Sequence, residues 1–250
     1  MKMTRKVAIM ILSLTLTSAV PVLAQTADEI VAKHVAAMGG KERIDAVKTV
    51  KLSGKVTING MEAPYTLQFK RPSSMRMDTE MQGQKLTQAY DGTNAWMQMG
   101  GRTMQMPPQA AAKMGQQADI AGPLVDYKSK GHTVELIGKE DVDGKPAFHL
   151  KLTKKDGEVS DIYLDANSYL EVKRVQKHKG MNGAEMEVTT WLGDYKKVGG
   201  IPFPHTVKMA GGPQQMEQKF EKVEIDLPLD DALFKMPADA QQMPARPHRR

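Results

Sequence analysis

The sequence predicts a mainly β protein: a curved antiparallel sheet, or incomplete β-barrel, with an N-terminal helix and an inserted lid helix. Three observations predict it. From VKLSGKVTI to QKFEKVEI, short runs alternate with period 2 or are rich in β-branched residues. Between the runs stand Asn59-Gly60, Asp91-Gly92, Gly100-Gly101, Asp143-Gly144, Asp156-Gly157, Asn182-Gly183, Gly199-Gly200 and Gly211-Gly212. Asn-Gly or Asp-Gly between alternating runs is the strongest short-range hairpin signal, and this spacing gives about ten to thirteen strands. Only two stretches show helical grammar, one before the strands and one interrupting them.

The chain opens with MKMTRK, basic through Lys2, Arg5 and Lys6, then the apolar VAIMILSLTLTSAV, then PVLAQ with small Val22 and Ala24. A basic start, a short apolar run and an A-x-A-like site predict a signal peptide over 1–24, cut near Ala24, and export to the periplasm. The run is short for a membrane span, is diluted by Ser and Thr, and ends at Pro21. No cysteine stands at the cut to carry a lipid, and none stands elsewhere, so disulfides are excluded. Residues 25–237 are expected to form one domain around one core. Residues 238–250, ending in PARPHRR, are expected to be a disordered basic tail.

In ADEIVAKHVAAM, Ile30, Val31, Val35 and Met38 fall on one helical face, Thr26 and Glu29 make a capping box, and Gly39-Gly40 stops the helix. KERIDAV adds a short helical piece before the first strand. The strand series is broken at PPQAAAKMGQQADIAGPLVDY, Ala- and Gln-rich between Pro107 and Gly122-Pro123, which predicts a helix lying over one face of the sheet.

The formal charge is +6, but Lys2, Arg5 and Lys6 supply three units and Arg246, Arg249 and Arg250 three more. The folded part is thus near neutral, and aromatics are 5%. A nucleic-acid reader needs a basic face interleaved with aromatics, so no nucleic-acid partner is expected. No G-x-S-x-G, Walker loop or G-x-G-x-x-G occurs, and Asp161 and Asp165 are spaced as strand residues, so no enzyme and no cofactor are expected. His34, His132, His149, His178, His205 and His248 are scattered singly, which excludes a zinc or Cu(II) motif and makes each a surface or strand residue.

The unusual feature is WMQMGGRTMQMPP, in a chain with 19 Met and 5 Phe. A two-residue turn at Gly100-Gly101 sets Met97 opposite Met104 and Met99 opposite Arg102. Met97, Met99, Met104 and Met106 then share one face, and Trp96 takes the other. Met75, Met77 and Met81 share parity on the preceding MRMDTEM. Three uses are open: core filler, thioether ligands for Cu(I), or an adaptable apolar pocket. The pocket would be lined by Met77, Met97, Met99, Met104 and Met106, with Met114 and Leu124 from the lid over 110–124 and Trp96 near the rim.

HVAAMGGKERIDAVKTVKLSG, AYDGTNAWMQM, GPLVDYKSKGHTVELIGKEDVDGKPAFHLKLT, DIYLDANSYLEVKRV, WLGDYKKVGGIPFPHTVKM and IDLPLDDALFKMP together resemble the LolA-like family of periplasmic lipoprotein-sorting carriers. The likeness covers most of 27–237 and lies in the order of weak motifs. It implies an incomplete barrel whose concave face, covered by helices, carries acyl chains of lipoproteins or other lipids without chemistry. It also implies membrane-bound donor and acceptor partners and a monomer. The early-strand arginine that holds the lid in such carriers has no counterpart here, where the first strand offers Lys48, Lys51 and Lys55.

Overall fold

A computed structural model of the chain describes residues 25–179, 185–211 and 214–242. The expected signal peptide over 1–24, the expected turn at Asn182-Gly183, Gly212 of the expected Gly211-Gly212 turn, and residues 243–250 lie outside them. Helix α1 (Ala27–Ala37) starts on the expected capping box, with the Glu29 N–H donating to Thr26 Oγ1 at 3.2 Å. Helix α2 (Lys41–Ala46) leads into β1 (Thr49–Ile58) and β2 (Met61–Lys70). The meander continues with β3 (Ser74–Met81), β4 (Gln84–Tyr90), β5 (Ala95–Met99) and β6 (Arg102–Gln105). Helix α3 (Pro108–Gln117) interrupts it. Then follow β7 (Thr133–Val142), β8 (Lys145–Thr153), β9 (Val159–Asp165), β10 (Glu171–Lys179), β11 (Glu185–Val198), β12 (Ile201–Gly211) and β13 (Gln214–Ile225). A C-terminal segment ends in the two-residue β14 (Gln241–Gln242).

All strands form one sheet, ordered β14-β6-β5-β4-β3-β2-β1-β13-β12-β11-β10-β9-β8-β7, and its ends do not pair, so no barrel closes. Neighbours are antiparallel except β14, which lies parallel to β6. The sheet is strongly curled. From β4 to β9 is eight strand spacings, about 38 Å if flat. Yet Gly115 on α3 lies against Tyr90 of β4, while the next residue, Gln116, donates to Asp156 in the β8–β9 turn at 2.6 Å. One helix, about 10 Å across, therefore bridges the two halves. A bulge between Ser53 and Gly54 serves the coiling. A Cβ on Gly54 would come 2.0 Å from the Lys219 carbonyl oxygen, so only glycine permits the close crossing of β1 and β13.

The core lies on the concave face. Under α1, Leu150, Leu152, Ile162, Leu164 and Phe148 pack with Ile30, Val31, Leu124 and Tyr127. At the sheet centre Val50, Leu52, Val56, Tyr65, Phe220 and Val223 form a second cluster. Across the convex face of β1–β6 runs residues 226–242 as a strap. Its carbonyls at Leu227, Leu229, Leu233 and Phe234 accept from Thr49, Lys70, Arg76 and Trp96 at 2.6–2.8 Å.

Three expectations need correction. Within the expected disordered tail over 238–250, Gln241 and Gln242 are ordered and pair with Met104 and Gln105 along an edge that would otherwise be open. The inserted helix stops at Gln117 rather than running to Gly122. There Asp119 takes the backbone into turns, accepting from Ala121 N–H at 3.1 Å and Gly122 N–H at 3.0 Å. His34 is neither surface nor strand: it is buried on α1, where its Nδ1–H donates to the Tyr169 carbonyl at 2.8 Å.

Candidate functional site

The Met-rich hairpin has the register of a two-residue turn. Met97 faces Met104, Met99 faces Arg102, and Gly100 and Gly101 both have positive φ, 56° and 78°. Such a turn needs φ > 0 at both centres, which glycine adopts at no steric cost. Neighbouring registers extend the hairpin into rows across the concave face. One row is Leu67, Met77, Gln88, Met97, Met104. The next is Tyr65, Thr79, Leu86, Met99, Arg102. A third crosses the centre as Thr190, Met209, Met216, Ile58, Met61.

With Met75 and Met81 in the same parity on β3, and Met186 opposite His178 on β11, every methionine in a described strand projects from the concave face. Solvent reaches several of them: Met61, Met99 and Met186 are 47%, 46% and 39% exposed.

Helix α3 covers only part of this floor. Ala111, Met114 and Ala118 bury themselves on Met75 and Ala95, with Leu67, Phe69, Tyr90 and Met106 packed around them. Met97, Met99 and Met104 lie outside that cluster. The close approach of helix to sheet depends on Gly115, where a Cβ would stand 3.0 Å from the Tyr90 hydroxyl.

Beside α3 lies a cavity of about 1040 Å³ whose floor is Arg174, Gln176, Thr190, Leu192 and Met209. Ala112, Lys113, Gly115 and Gln116 of α3 form one wall, and Lys130, His132, Lys154, Lys155 and Asp156 form the opposite rim. The rim is tied to the helix: Lys154 Nζ donates to Gln116 Oε1 at 2.9 Å and to Glu158 at 2.6 Å. The 119–132 segment is tied to itself, with Lys130 Nζ on Asp119 at 2.5 Å and on the Gly122 carbonyl at 2.7 Å. On the floor, Arg174 grips Glu171 with two bonds of 2.7 Å. Burial by itself would lower the guanidinium pKa, but the Glu171 charge and hydrogen bonds outweigh it and raise it. Burial, reinforced by Lys130 and Lys154, lowers His132. The Glu158 backbone N–H, with Gln116, holds Asp156 below the usual carboxylate range.

The structure brings together some sequence-predicted residues and separates others. Met77, Met97, Met99 and Met104 share the open floor, while Met114 is on the buried side of α3 itself and Met106 packs against it. Two placements are corrected. Trp96 is not at a rim: it projects from the convex face, is 3% exposed, and is held under the strap by Phe234. Leu124 is 2% exposed in the core under α1, away from the methionines, because the chain leaves α3 in turns. None of the eight predicted residues lines the cavity beside α3. Its floor residues Thr190, Leu192 and Met209 carried no motif; only the parity of Met209 within PFPHTVKMA could have marked it. Among the described residues, no group of three His, Asp or Glu could hold a metal.

No family model matches the sequence, and no curated protein matches it. Solved structures do match. A DUF1329 family protein from Desulfovibrio piger superposes with a TM-score of 0.57 at 12% identity, over 84% of this chain and 97% of that one. A protein from Vibrio parahaemolyticus described as an outer membrane lipoprotein-sorting domain gives 0.56 at 14% identity, over 82% and 94%. A LolA superfamily protein from Nitrosomonas europaea gives 0.54 at 13% identity, over 85% and 98%. At such identities the likeness speaks for the fold, and the open curled sheet with helices on its concave face is the LolA-like fold.

Proposed function

We propose that the protein is a periplasmic carrier that holds acyl chains of lipoproteins or other lipids on the methionine-paved concave face and delivers them toward the outer membrane. One observation carries the reading: every methionine in a described strand faces the concave side, and the row Thr190, Met209, Met216, Ile58, Met61 joins the cavity to that floor. Thioether chains are unbranched and flexible, so such a surface re-packs around variable contents. Each methylene it buries contributes about 0.8 kcal/mol. Nothing in this task needs a reacting group, and the site is read as non-enzymatic.

Helix α3 is the lid. Lifting it at Gly115 would expose Met75, Met106 and Met114 and join them to Met77, Met97, Met99 and Met104. Residues 1–24 would direct export and leave near Ala24. A monomer would then exchange cargo with membrane-bound donor and acceptor proteins. Replacing Met97→Asp and Met104→Asp together puts two carboxylates on the apolar floor. Uptake of a fluorescent fatty acid should fall at least about tenfold while far-UV circular dichroism keeps its β signature. Unchanged uptake would sink the pocket assignment.

A second reading rests on the same hairpin, because four thioethers stand on one face of two paired strands. Soft thioethers select Cu(I). Tight anaerobic Cu(I) binding that disappears in Met97→Leu/Met104→Leu, a change that keeps the floor apolar, would favour it over lipid carriage.

A further inference from the structure

We infer that the cargo bears an anionic phosphate head group, held at the lysine rim of the cavity while its chains lie on the methionine floor. The inference rests on the carrier reading and adds the chemical class of the cargo. The cavity is two-ended: Leu192 and Met209 stand at the sheet beside the closed Arg174–Glu171 pair, and the remaining charged residues stand on α3, on the 119–132 segment and at the β8–β9 turn.

Three of its cations are already neutralised. Lys130 is paired with Asp119 at 2.5 Å, Lys154 with Glu158 at 2.6 Å, and Arg174 with Glu171 at 2.7 Å. Lys113 and Lys155 enter no ion pair among the described residues. The Lys155 stem lies along Gly131, where a Cβ would come within 3.3 Å of its Cδ. Its backbone N–H donates to His132 Nδ1 at 3.1 Å, which puts the proton of the neutral ring on Nε2. The carboxylate of Asp156 is engaged by the Gln116 amide at 2.6 Å and the Glu158 N–H at 3.1 Å. What the rim offers a ligand is therefore two ammonium groups and an imidazole N–H as free donors, beside one carboxylate, Asp156, whose two oxygens already accept hydrogen bonds. A phosphate presents acceptor oxygens and negative charge to match them, whereas a zwitterionic head brings its own cation to the same amines.

The test is lipid extraction from vesicles of phosphatidylcholine alone and of phosphatidylcholine with phosphatidylglycerol, all with identical acyl chains, read by mass spectrometry of the re-isolated protein. The wild type should prefer phosphatidylglycerol by about tenfold, and the preference should shrink with salt. Lys113→Gln/Lys155→Gln should lose the preference and keep phosphatidylcholine uptake. Lys208→Gln/Lys219→Gln, an equal charge change on the convex face, should retain it. Equal uptake of both lipids by the wild type, or a preference that survives in Lys113→Gln/Lys155→Gln, overturns the head-group assignment and leaves the carrier standing. Titratable binding of inorganic phosphate through Lys113 and Lys155 without a lipid preference assigns the rim to free phosphate and also overturns it. If neither lipid is extracted, the carrier reading falls and this inference falls with it.

Discussion

The concave face has two halves built from the same period-2 strands and filled with different side chains. Under α1, β7–β9 contribute Phe148, Leu150, Leu152, Ile162 and Leu164, and no methionine enters that cluster. On β2–β6 the equivalent positions are Leu67, Met75, Met77, Met97, Met99 and Met104. Branched chains have few rotamers and specify one packing, while thioether chains tolerate several. The sheet thus uses Leu and Ile under α1 and Met under and beside α3. On the carrier reading proposed above, that difference corresponds to a helix that stays and a helix that lifts.

The largest expected effect tests that contrast directly. Leu150 is 0% exposed, so Leu150→Ala should cost about 2–5 kcal/mol in urea unfolding, the transfer and cavity loss of a fully packed position. Met97→Leu/Met104→Leu conserves volume on a half-open surface and should stay within about 1.5 kcal/mol of wild type. Comparable losses in both variants would mean that the two halves are equally rigid.

A smaller effect probes the lid. Gly115→Ala places a methyl 3.0 Å from the Tyr90 oxygen and 3.2 Å from two ring carbons, and the ring is anchored by its hydroxyl donating to the Gly92 carbonyl at 2.8 Å. The helix interior gains propensity from the change, by roughly 1 kcal/mol, while overpacking costs about 1–3 kcal/mol. The net expectation is a lid displaced from β4, read as faster exchange of a bound fluorescent lipid with little change in global stability. Slower exchange would show that α3 does not move during uptake.

The hairpin register, the shared face of the methionines and the two principal helices were legible because each depends on local periodicity and turn chemistry. Gly100-Gly101 alone determines that Met97 meets Met104. What was not legible depends on contacts far apart in sequence. Trp96 sits on the strand that carries the methionines, but its partner is the Phe234 carbonyl, 138 residues away, and no local pattern announces a strap. Leu124 looked like the end of a lid, and its burial is decided by α1. The cavity rim joins Lys113 of α3 to Lys155 of the β8–β9 turn only because the sheet curls, and curl is a sum over many strands. The departure at the early strand has a physical counterpart too: Lys51 and Lys55 share the convex parity of β1, opposite to the core-facing Leu52 and Val56, so neither can reach the lid.

The smallest effect separates the halves by pH. His34 anchors α1 on the closed half, and burial lowers its pKa below the ordinary 6.5, with the Tyr169 carbonyl and the Glu171 charge offsetting this only in part. The folded protein thus holds the ring neutral while the unfolded chain takes up a proton first. Stability contributed in this way is complete above pH 6.5 and is lost as pH falls from there toward the folded value. Carboxylates held below their ordinary 3.8, such as Asp156, act in a separate and more acidic window. The melting temperature should therefore decline on going from pH 7 to pH 5, and His34→Gln, which can still donate to Tyr169, should flatten that decline. His132 is lowered as well, so His132→Gln is the matched control on the side of the lid. A slope abolished by His132→Gln and untouched by His34→Gln would place the acid-sensitive contact at the cavity rim, and the closed half would then be the more tolerant of the two.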